Sequence, residues 1–190
     1  MNSLKHEVRP RYSFKKKLRI VDGQEQFQLI DQEVGDVQPS YRHWCQLQIL
    51  DDIKQQLFTC SEEPLTPQLL AQTRSKDFEL PDGTTLNLGP ERVQFPERFF
   101  TQSQICEGFT GFQSMVSESI SRADLDIRKD LYSNVILSGG NANLKGLEKR
   151  LERQIPDIAP QGLRVKVLRG ADVKTSAWVG GSILSSLGSF

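Results

Sequence analysis

The sequence predicts an α/β fold, in which helices and strands alternate along the chain. Apolar residues recur at helical spacing from Leu47 to Leu57, with polar residues between them, which predicts an amphipathic helix over 46–58. The stretch FELPDGTTLNLG predicts a β-hairpin, because Pro-Asp-Gly is typical of a tight turn. The run Val135–Leu137 is apolar throughout, as expected for a strand covered on both faces of a sheet, and an amphipathic helix follows it.

The remaining elements are predicted from the same two periodicities. KLRIVDGQEQFQLI is either a hairpin or an irregular excursion, since VDG has the composition of a turn. Helices are predicted over 109–121 and from Leu144 to Ile155, and Pro156 is expected to end the second one. Between them, DLDIRKDLY is expected to form a short helical turn. Alternation of apolar and basic residues over 163–167 predicts a half-buried strand, and SAWVGGSILSSLGSF is expected to place a short helix after its glycine pair.

Charge is balanced overall but unevenly distributed. The 190 residues carry 24 Lys and Arg against 24 Asp and Glu, which argues against a generally basic nucleic-acid-binding protein. The first nineteen residues nevertheless hold seven cations, namely Lys5, Arg9, Arg11, Lys15, Lys16, Lys17 and Arg19. This segment is compatible with nucleic-acid contact, with a nuclear address in FKKKLR, or with an ordinary solvated surface.

Cysteine and histidine content excludes several classes of site. Cys45, Cys60 and Cys106 are far apart and form no C-x-x-C, so neither a disulfide framework nor a zinc site is expected. The only histidines are His6 and His43, which leaves little for a metal centre or a serine triad. No apolar run approaches the roughly 20 residues of a membrane span. We therefore expect a cytosolic or nuclear chain without membrane contact.

The turn Ser138-Gly139-Gly140 stands between a predicted strand and a predicted helix. Glycines let the backbone approach a ligand closely, and the N-terminus of a following helix presents unpaired N–H groups. The turn lacks the Gly-Lys-Ser/Thr of a Walker loop and is not G-x-G-x-x-G. Local features leave two interpretations open, a tight structural joint or one wall of a ligand site.

Three long stretches resemble actin in the same order and at compatible spacing. They are FELPDGTTLNLGPERVQFPERFF, DIRKDLYSNVILSGGNANLKGLEKRL and SAWVGGSILSSLGSF, and the resemblance extends over about 46–190. RPRYSFKKK near the start and LGSF at the end resemble the nuclear actin-related proteins of chromatin-modifying complexes, the actin-related protein 4 group. The chain is thereby identified as similar to the C-terminal half of that group.

The resemblance implies a fold and a division of the chain. The fold is the α/β ATPase-domain fold shared by actin, heat-shock chaperones and sugar kinases, represented by its C-terminal half with an incomplete sheet. It implies a lobe similar to actin subdomain 4 with a basic N-terminal segment over 1–108, a partial subdomain 3 over 109–174, and a segment returning towards subdomain 1 over 175–190. We expect a truncated gene product, a short isoform or an incomplete gene assembly.

The resemblance also assigns candidate binding residues. Those that match the walls of the actin nucleotide cleft are Lys54, Gln55, Gly139, Gly140, Asn141, Asn143, Leu144 and Lys174. Gln55 stands where actin has a glutamate on the ribose, and an amide lacks the charge-assisted bond of a carboxylate. Asp51 stands where actin has an arginine. A partner groove is implied at Ile183, Leu184 and Leu187, for which ordinary core packing is the alternative.

The expected function follows from what the resemblance covers. The phosphate hairpins and Mg²⁺ carboxylates of actin precede the matched region, so we expect no catalytic residue, no metal ligand and no cofactor in this chain alone, although a full-length relative can bind ATP with Mg²⁺. The resemblance implies a non-catalytic scaffold subunit of nuclear chromatin-remodelling or histone-acetyltransferase complexes. Its partners would be a remodeller ATPase helix, actin and other chromatin-complex subunits, with weak histone or nucleic-acid contact through the basic segment. The alternative is a fragment of a cytoplasmic, cytoskeletal actin-like ATPase.

Overall fold

The computed structural model describes residues 8–21, 24–101 and 108–188 and divides the chain into two compact units. Unit 1 comprises residues 1–57 and 74–89, and unit 2 comprises residues 58–73 and 90–190. Lys5, His6 and Cys106 lie outside the described residues. The unit boundaries fall at other positions than 108 and 174, and the assignment of segments to named actin subdomains stays a prediction.

Unit 1 is built from two hairpins and one long helix. Strands β1 (Phe14–Val21) and β2 (Gln24–Asp31) pair antiparallel from Phe14 opposite Asp31 to Val21 opposite Gln24. Helix α1 (Pro39–Leu57) follows, and β3 (Lys76–Glu79) and β4 (Thr85–Leu88) form the second hairpin. The buried apolar side chains of this unit are Phe14, Ile49, Ile53, Leu57, Leu80 and Leu86. The pairing of β1 with β2 shows that KLRIVDGQEQFQLI belongs to a hairpin and is not an irregular excursion.

Unit 2 is a small α/β assembly around a two-stranded parallel sheet. Strands β5 (Val135–Leu137) and β6 (Val167–Arg169) pair in parallel, and α6 (Leu147–Ile158) packs on β6 and on α4 (Phe112–Ser121). The other helices are α2 (Pro67–Gln72), α3 (Glu91–Glu97), α5 (Leu125–Ser133) and α7 (Ser176–Ser185). Its core consists of Cys60, Phe100, Ile120, Tyr132, Leu144, Leu147, Leu151, Ile155 and Val167.

Several predicted boundaries are wrong by part of a turn or more. Helix α1 begins at Pro39, seven residues before the predicted start, and it buries Ile49 while Leu47 is 45% exposed. Pro156 does not end α6, because the N–H of Ala159 donates to the Ile155 carbonyl at 2.9 Å and closes one more turn. The apolar-basic alternation over 163–167 is confirmed as alternating burial, yet only its last residue belongs to β6.

The segments flanking the glycine pairs also differ from expectation. DLDIRKDLY forms a complete helix, α5, rather than a short turn. Helix α6 begins at Leu147 instead of Leu144, and a 3₁₀ turn, Gly140–Asn143, precedes it. Gly180 and Gly181 lie inside α7, which begins before them at Ser176. Within the described ranges, no helix combines the length and the apolar composition needed to cross a bilayer.

Candidate nucleotide-facing turn

The candidate site in unit 2 is the turn after β5. Gly139 has a φ of 97°, a backbone conformation that residues other than glycine rarely adopt. Its N–H donates to the Val173 carbonyl at 2.7 Å, which ties the turn to the segment that follows β6. Gly140 then opens the 3₁₀ turn, and the N–H of Ala142 donates back to the Gly139 carbonyl at 3.1 Å. The turn therefore has a fixed backbone with small side chains.

A second segment, Asp172–Ser176, is anchored beside this turn. Val173 is fully buried, and the Ser176 Oγ lies 2.8 Å from the Ser138 Oγ. The Asp172 carboxylate accepts hydrogen bonds from the Thr175 hydroxyl and from the N–H groups of Lys174 and Thr175. These bonds, led by the one from the hydroxyl, hold the pKa of Asp172 below its usual range. The structure thus brings Lys174 close to the turn with an exposed side chain.

The other predicted residues of the turn have different environments. Asn141 is exposed, whereas the Asn143 Oδ1 accepts a hydrogen bond from the Arg169 Nη2 at 3.2 Å. Leu144 is 5% exposed and its side chain packs in the core of unit 2. Burial in the core stabilises an apolar side chain more than contact with a polar ligand does. Leu144 therefore supports the turn from the core of unit 2.

Arg169 also lies on this surface, although it is not among the residues predicted from the sequence. It is the last residue of β6, and residues at the carboxyl ends of parallel strands meet at one sheet edge. Together with Lys174 it gives the edge two cations. The signal that could have found Arg169 is its position two residues after the buried Val167, at a strand end.

The N-terminus of α6 does not lie at the glycine pair. Gly146 precedes the helix with a φ of 85°, and a Cβ there would lie 2.3 Å from the Cys60 carbonyl oxygen. The Cys60 N–H donates to the Lys145 carbonyl at 2.7 Å. Burial raises the pKa of the Cys60 thiol to about 12, so this thiol is protonated and unreactive at neutral pH. Protein backbone therefore packs against this helix end.

Lys54 and Gln55 belong to unit 1, in the last turns of α1. The Lys54 Nζ pairs with the Asp51 Oδ1 at 2.5 Å, and the Gln55 Nε2 donates to the Asp51 Oδ2. Asp51, one turn earlier on the helix, therefore engages both candidate side chains. A ligand that used these two groups would have to compete with this carboxylate.

The three predicted groove residues lie at the end of the described chain. Ile183 and Leu184 are on α7, and Leu187 follows its end. Their side chains are 58%, 53% and 49% exposed, and none of the residues of α7 is buried. Trp178, on the same helix, is 82% exposed. These residues are thus available for contact and are not part of the described core.

Comparison with known proteins gives a consistent result. The actin family model matches the chain over residues 1–190. Actin-related protein 4 of Arabidopsis thaliana is 36% identical over 199 residues, covering 97% of this chain and 44% of that protein. Actin-related protein 4 of Oryza sativa subsp. indica is 36% identical over 197 residues, covering 96% and 44% respectively. An actin-like protein of Neurospora crassa is 41% identical over 114 residues, covering 60% and 30%.

The chain spans less than half the length of these curated relatives. The resemblance of the hairpin, the glycine turn and the terminal helix to actin is confirmed, and so is the α/β class with small, incomplete sheets. The chain therefore belongs to the actin family, in which it is similar over nearly its whole length to plant actin-related protein 4.

Proposed function

We propose that this chain acts as a non-catalytic scaffold in nuclear chromatin-remodelling or histone-acetyltransferase complexes. The similarity to actin-related protein 4 supports the actin-related part of this proposal. In such a role the chain holds other subunits together and transfers no phosphoryl group. Its partners would be a helix of the remodelling ATPase, actin and further subunits of the same complex, in the nucleus.

The observation that carries the proposal is the exposed apolar surface of α7. Trp178, Val179, Ile183 and Leu184 are each about half exposed or more, although all four are apolar. Several exposed apolar side chains grouped on one short helix of a folded chain are typical of a surface that binds another protein. An amphipathic helix binds such a patch through apolar anchors spaced three or four residues apart.

The environment of Lys54 and Gln55 supports a role without catalysis. Both side chains are engaged by Asp51. Gln55 cannot offer the charge-assisted hydrogen bond that a carboxylate gives to a ribose hydroxyl. Two cations, Arg169 and Lys174, and a fixed glycine turn therefore remain to face a nucleotide. Phosphoryl transfer needs further groups that position the γ-phosphate.

The proposal is tested with tagged chain expressed in nucleated cells. Ile183→Asp/Leu184→Asp places two carboxylates on the α7 surface, and Leu125→Asp, at a residue 77% exposed on α5, is the matched control. We expect the parent chain and the control to co-purify remodelling ATPase and acetyltransferase subunits from nuclear extract. The double variant is expected to lose at least nine tenths of that recovery, as measured by quantitative mass spectrometry.

Two results would contradict the proposal. One is that the parent chain recovers none of these subunits. The other is that the double variant and the parent recover them equally, since the α7 surface would then have no part in the assembly.

A further inference from the structure

The β1–β2 hairpin of unit 1 has two chemically different faces. Residues directly opposite one another in an antiparallel pair share a face, and successive residues of a strand alternate between faces. Among the hairpin residues whose side chains the structure describes, one face carries cations, amides and one apolar residue, namely Lys15, Lys17, Arg19, Gln26, Gln28 and Ile30. We call these six residues the basic face. No carboxylate lies on it.

The opposite face is mainly apolar, with Asp31 at one end, and the one lysine among its described residues is paired. Leu18, Phe27 and Leu29 lie there and are 46%, 67% and 37% exposed. The Lys16 Nζ lies 3.5 Å from the Glu79 Oε1 and 5.9 Å from the centroid of the Phe27 ring. Lys16 is therefore paired on the apolar face, whereas Lys15, Lys17 and Arg19 lie on the other side of the hairpin.

The basic face is available to a ligand. Lys15, Lys17 and Arg19 are exposed, and within the described residues no hydrogen bond or ion pair engages Lys17 or Arg19. Three cations at alternate positions of one strand repel each other, which costs free energy unless an anion binds. The face is thus complementary in charge to a polyanion.

The shape of the hairpin and its amides favour duplex DNA among polyanions. A two-stranded β-ribbon fits the major groove of B-DNA, which is about 12 Å wide, whereas the major groove of duplex RNA is too narrow to admit side chains. Lys17 pairs across the strands with Gln28, and Arg19 with Gln26. Arginine and lysine bind phosphate or guanine and glutamine binds adenine, so each cross-strand pair combines a phosphate-binding group with a base-edge group. An acidic peptide would use the cations alone.

We propose that the basic face of the β1–β2 hairpin is a docking surface for duplex DNA, in which Lys15, Lys17 and Arg19 contact phosphates and Gln26 and Gln28 face base edges. This surface lies in unit 1, apart in sequence from α7, and its function does not depend on the scaffold role proposed above.

The test measures binding of the full chain to a fluorescent 30-base-pair DNA duplex by anisotropy between 50 and 200 mM salt. Three phosphate contacts predict a slope of log Kobs against log [salt] of about −2.7, which is an affinity loss of about 40-fold over this range. Lys15→Gln/Lys17→Gln/Arg19→Gln is expected to abolish both the binding and its salt dependence. Lys15→Arg/Lys17→Arg/Arg19→Lys is expected to retain them.

A matched control removes three exposed cations of unit 2. Lys129→Gln/Arg164→Gln/Lys166→Gln changes the net charge by the same amount and is expected to leave DNA binding within twofold of the parent. Equal loss in both triple variants, or no DNA binding by the parent chain, would overturn the proposal. Tighter binding of duplex RNA or of polyglutamate than of DNA, measured by competition, would overturn the assignment of DNA as the occupant. Circular dichroism of each variant shows whether it is folded.

Discussion

At the scale of single residues, the least expected feature is a buried arginine. Arg150, on α6, is 1% exposed, although arginine is rarely fully buried unless it is paired. Its guanidinium donates to the carbonyl oxygens of Ser61 and Glu63 and to the Glu97 Oε1, the last at 2.6 Å. It also lies over the Phe100 ring at 4.8 Å. One side chain thus connects three segments of unit 2 that are distant in sequence.

Removing this guanidinium is expected to destabilise unit 2 strongly. Arg150→Met keeps the apolar stem but leaves the largely buried Glu97 carboxylate without its partner, which costs about 3–5 kcal/mol of unfolding free energy. Arg153→Gln, which affects an exposed ion pair with Glu62, is the control and is expected to cost at most about 1 kcal/mol. Urea unfolding followed by circular dichroism measures both. Equal costs would contradict the structural role of Arg150.

The three glycines around the candidate turn are expected to respond differently to alanine. Gly140 has ordinary φ and open space, so Gly140→Ala should leave stability within about 0.5 kcal/mol of the parent. Gly139 has space but a positive φ, so its change should cost about 1–2 kcal/mol. Gly146 has both a positive φ and a carbonyl 2.3 Å from the added carbon, so its cost should be the largest of the three. The same unfolding measurement checks the order, and any other order would contradict this geometry.

At the scale of elements, α6 organises unit 2. Its buried face carries Leu147, Leu151 and Ile155, spaced so that all three point to one side of the helix. On another side, the Glu152 Oε1 accepts a hydrogen bond from the Val167 N–H at 3.0 Å, which connects the helix to the start of β6. The helix therefore fixes the strand whose far end presents Arg169 to the candidate turn.

Truncations along α6 are expected to separate its two faces. Ile155 is fully buried, so Ile155→Ala should lower the unfolding free energy by about 2–5 kcal/mol through lost burial and a residual cavity. Ile158 is 44% exposed on the same helix, and Ile158→Ala is expected to cost less than about 1 kcal/mol. Comparable losses at both positions, in chemical denaturation at matched protein concentration, would show that Ile158 is also covered.

At the scale of the whole molecule, the candidate nucleotide residues are divided between the two units. Lys54 and Gln55 belong to unit 1, and the glycine turn with Lys174 belongs to unit 2. Each group is positioned by the core of its own unit. The chain covers 44% of the length of its actin-related protein 4 relatives, so the activity of a protein of that length is a separate question.

The chain by itself is expected to bind ATP poorly, with no saturation below about 100 μM of a fluorescent analogue. The physical reason is that Asp51 competes for Lys54 and Gln55. Asp51→Ala should therefore raise the affinity, whereas Asp52→Ala, which removes an ion pair with Arg11, should not. Micromolar binding by the parent chain would contradict this prediction and would favour a fragment of a nucleotide-binding ATPase.

The sequence by itself determined the α/β class, the actin family and most helices and strands. Local signals were sufficient for these, because the Pro-Asp-Gly turn, the apolar run of β5 and the helical periodicities depend on neighbouring residues only. Boundaries were less predictable. Helix α1 extends to Pro39 and α6 continues through Pro156, since hydrogen bonds and packing at helix ends override residue preference.

Only the tertiary structure decided what surrounds each candidate residue. Leu144 entered the core, and Arg169 joined the turn after β5 through Asn143. The pairing register of β1 with β2 separated a basic face from an apolar one, which the run of lysines in the sequence does not reveal. The physical reason is that contacts between residues far apart in the chain are set by packing and register, and neither can be read from local spacing.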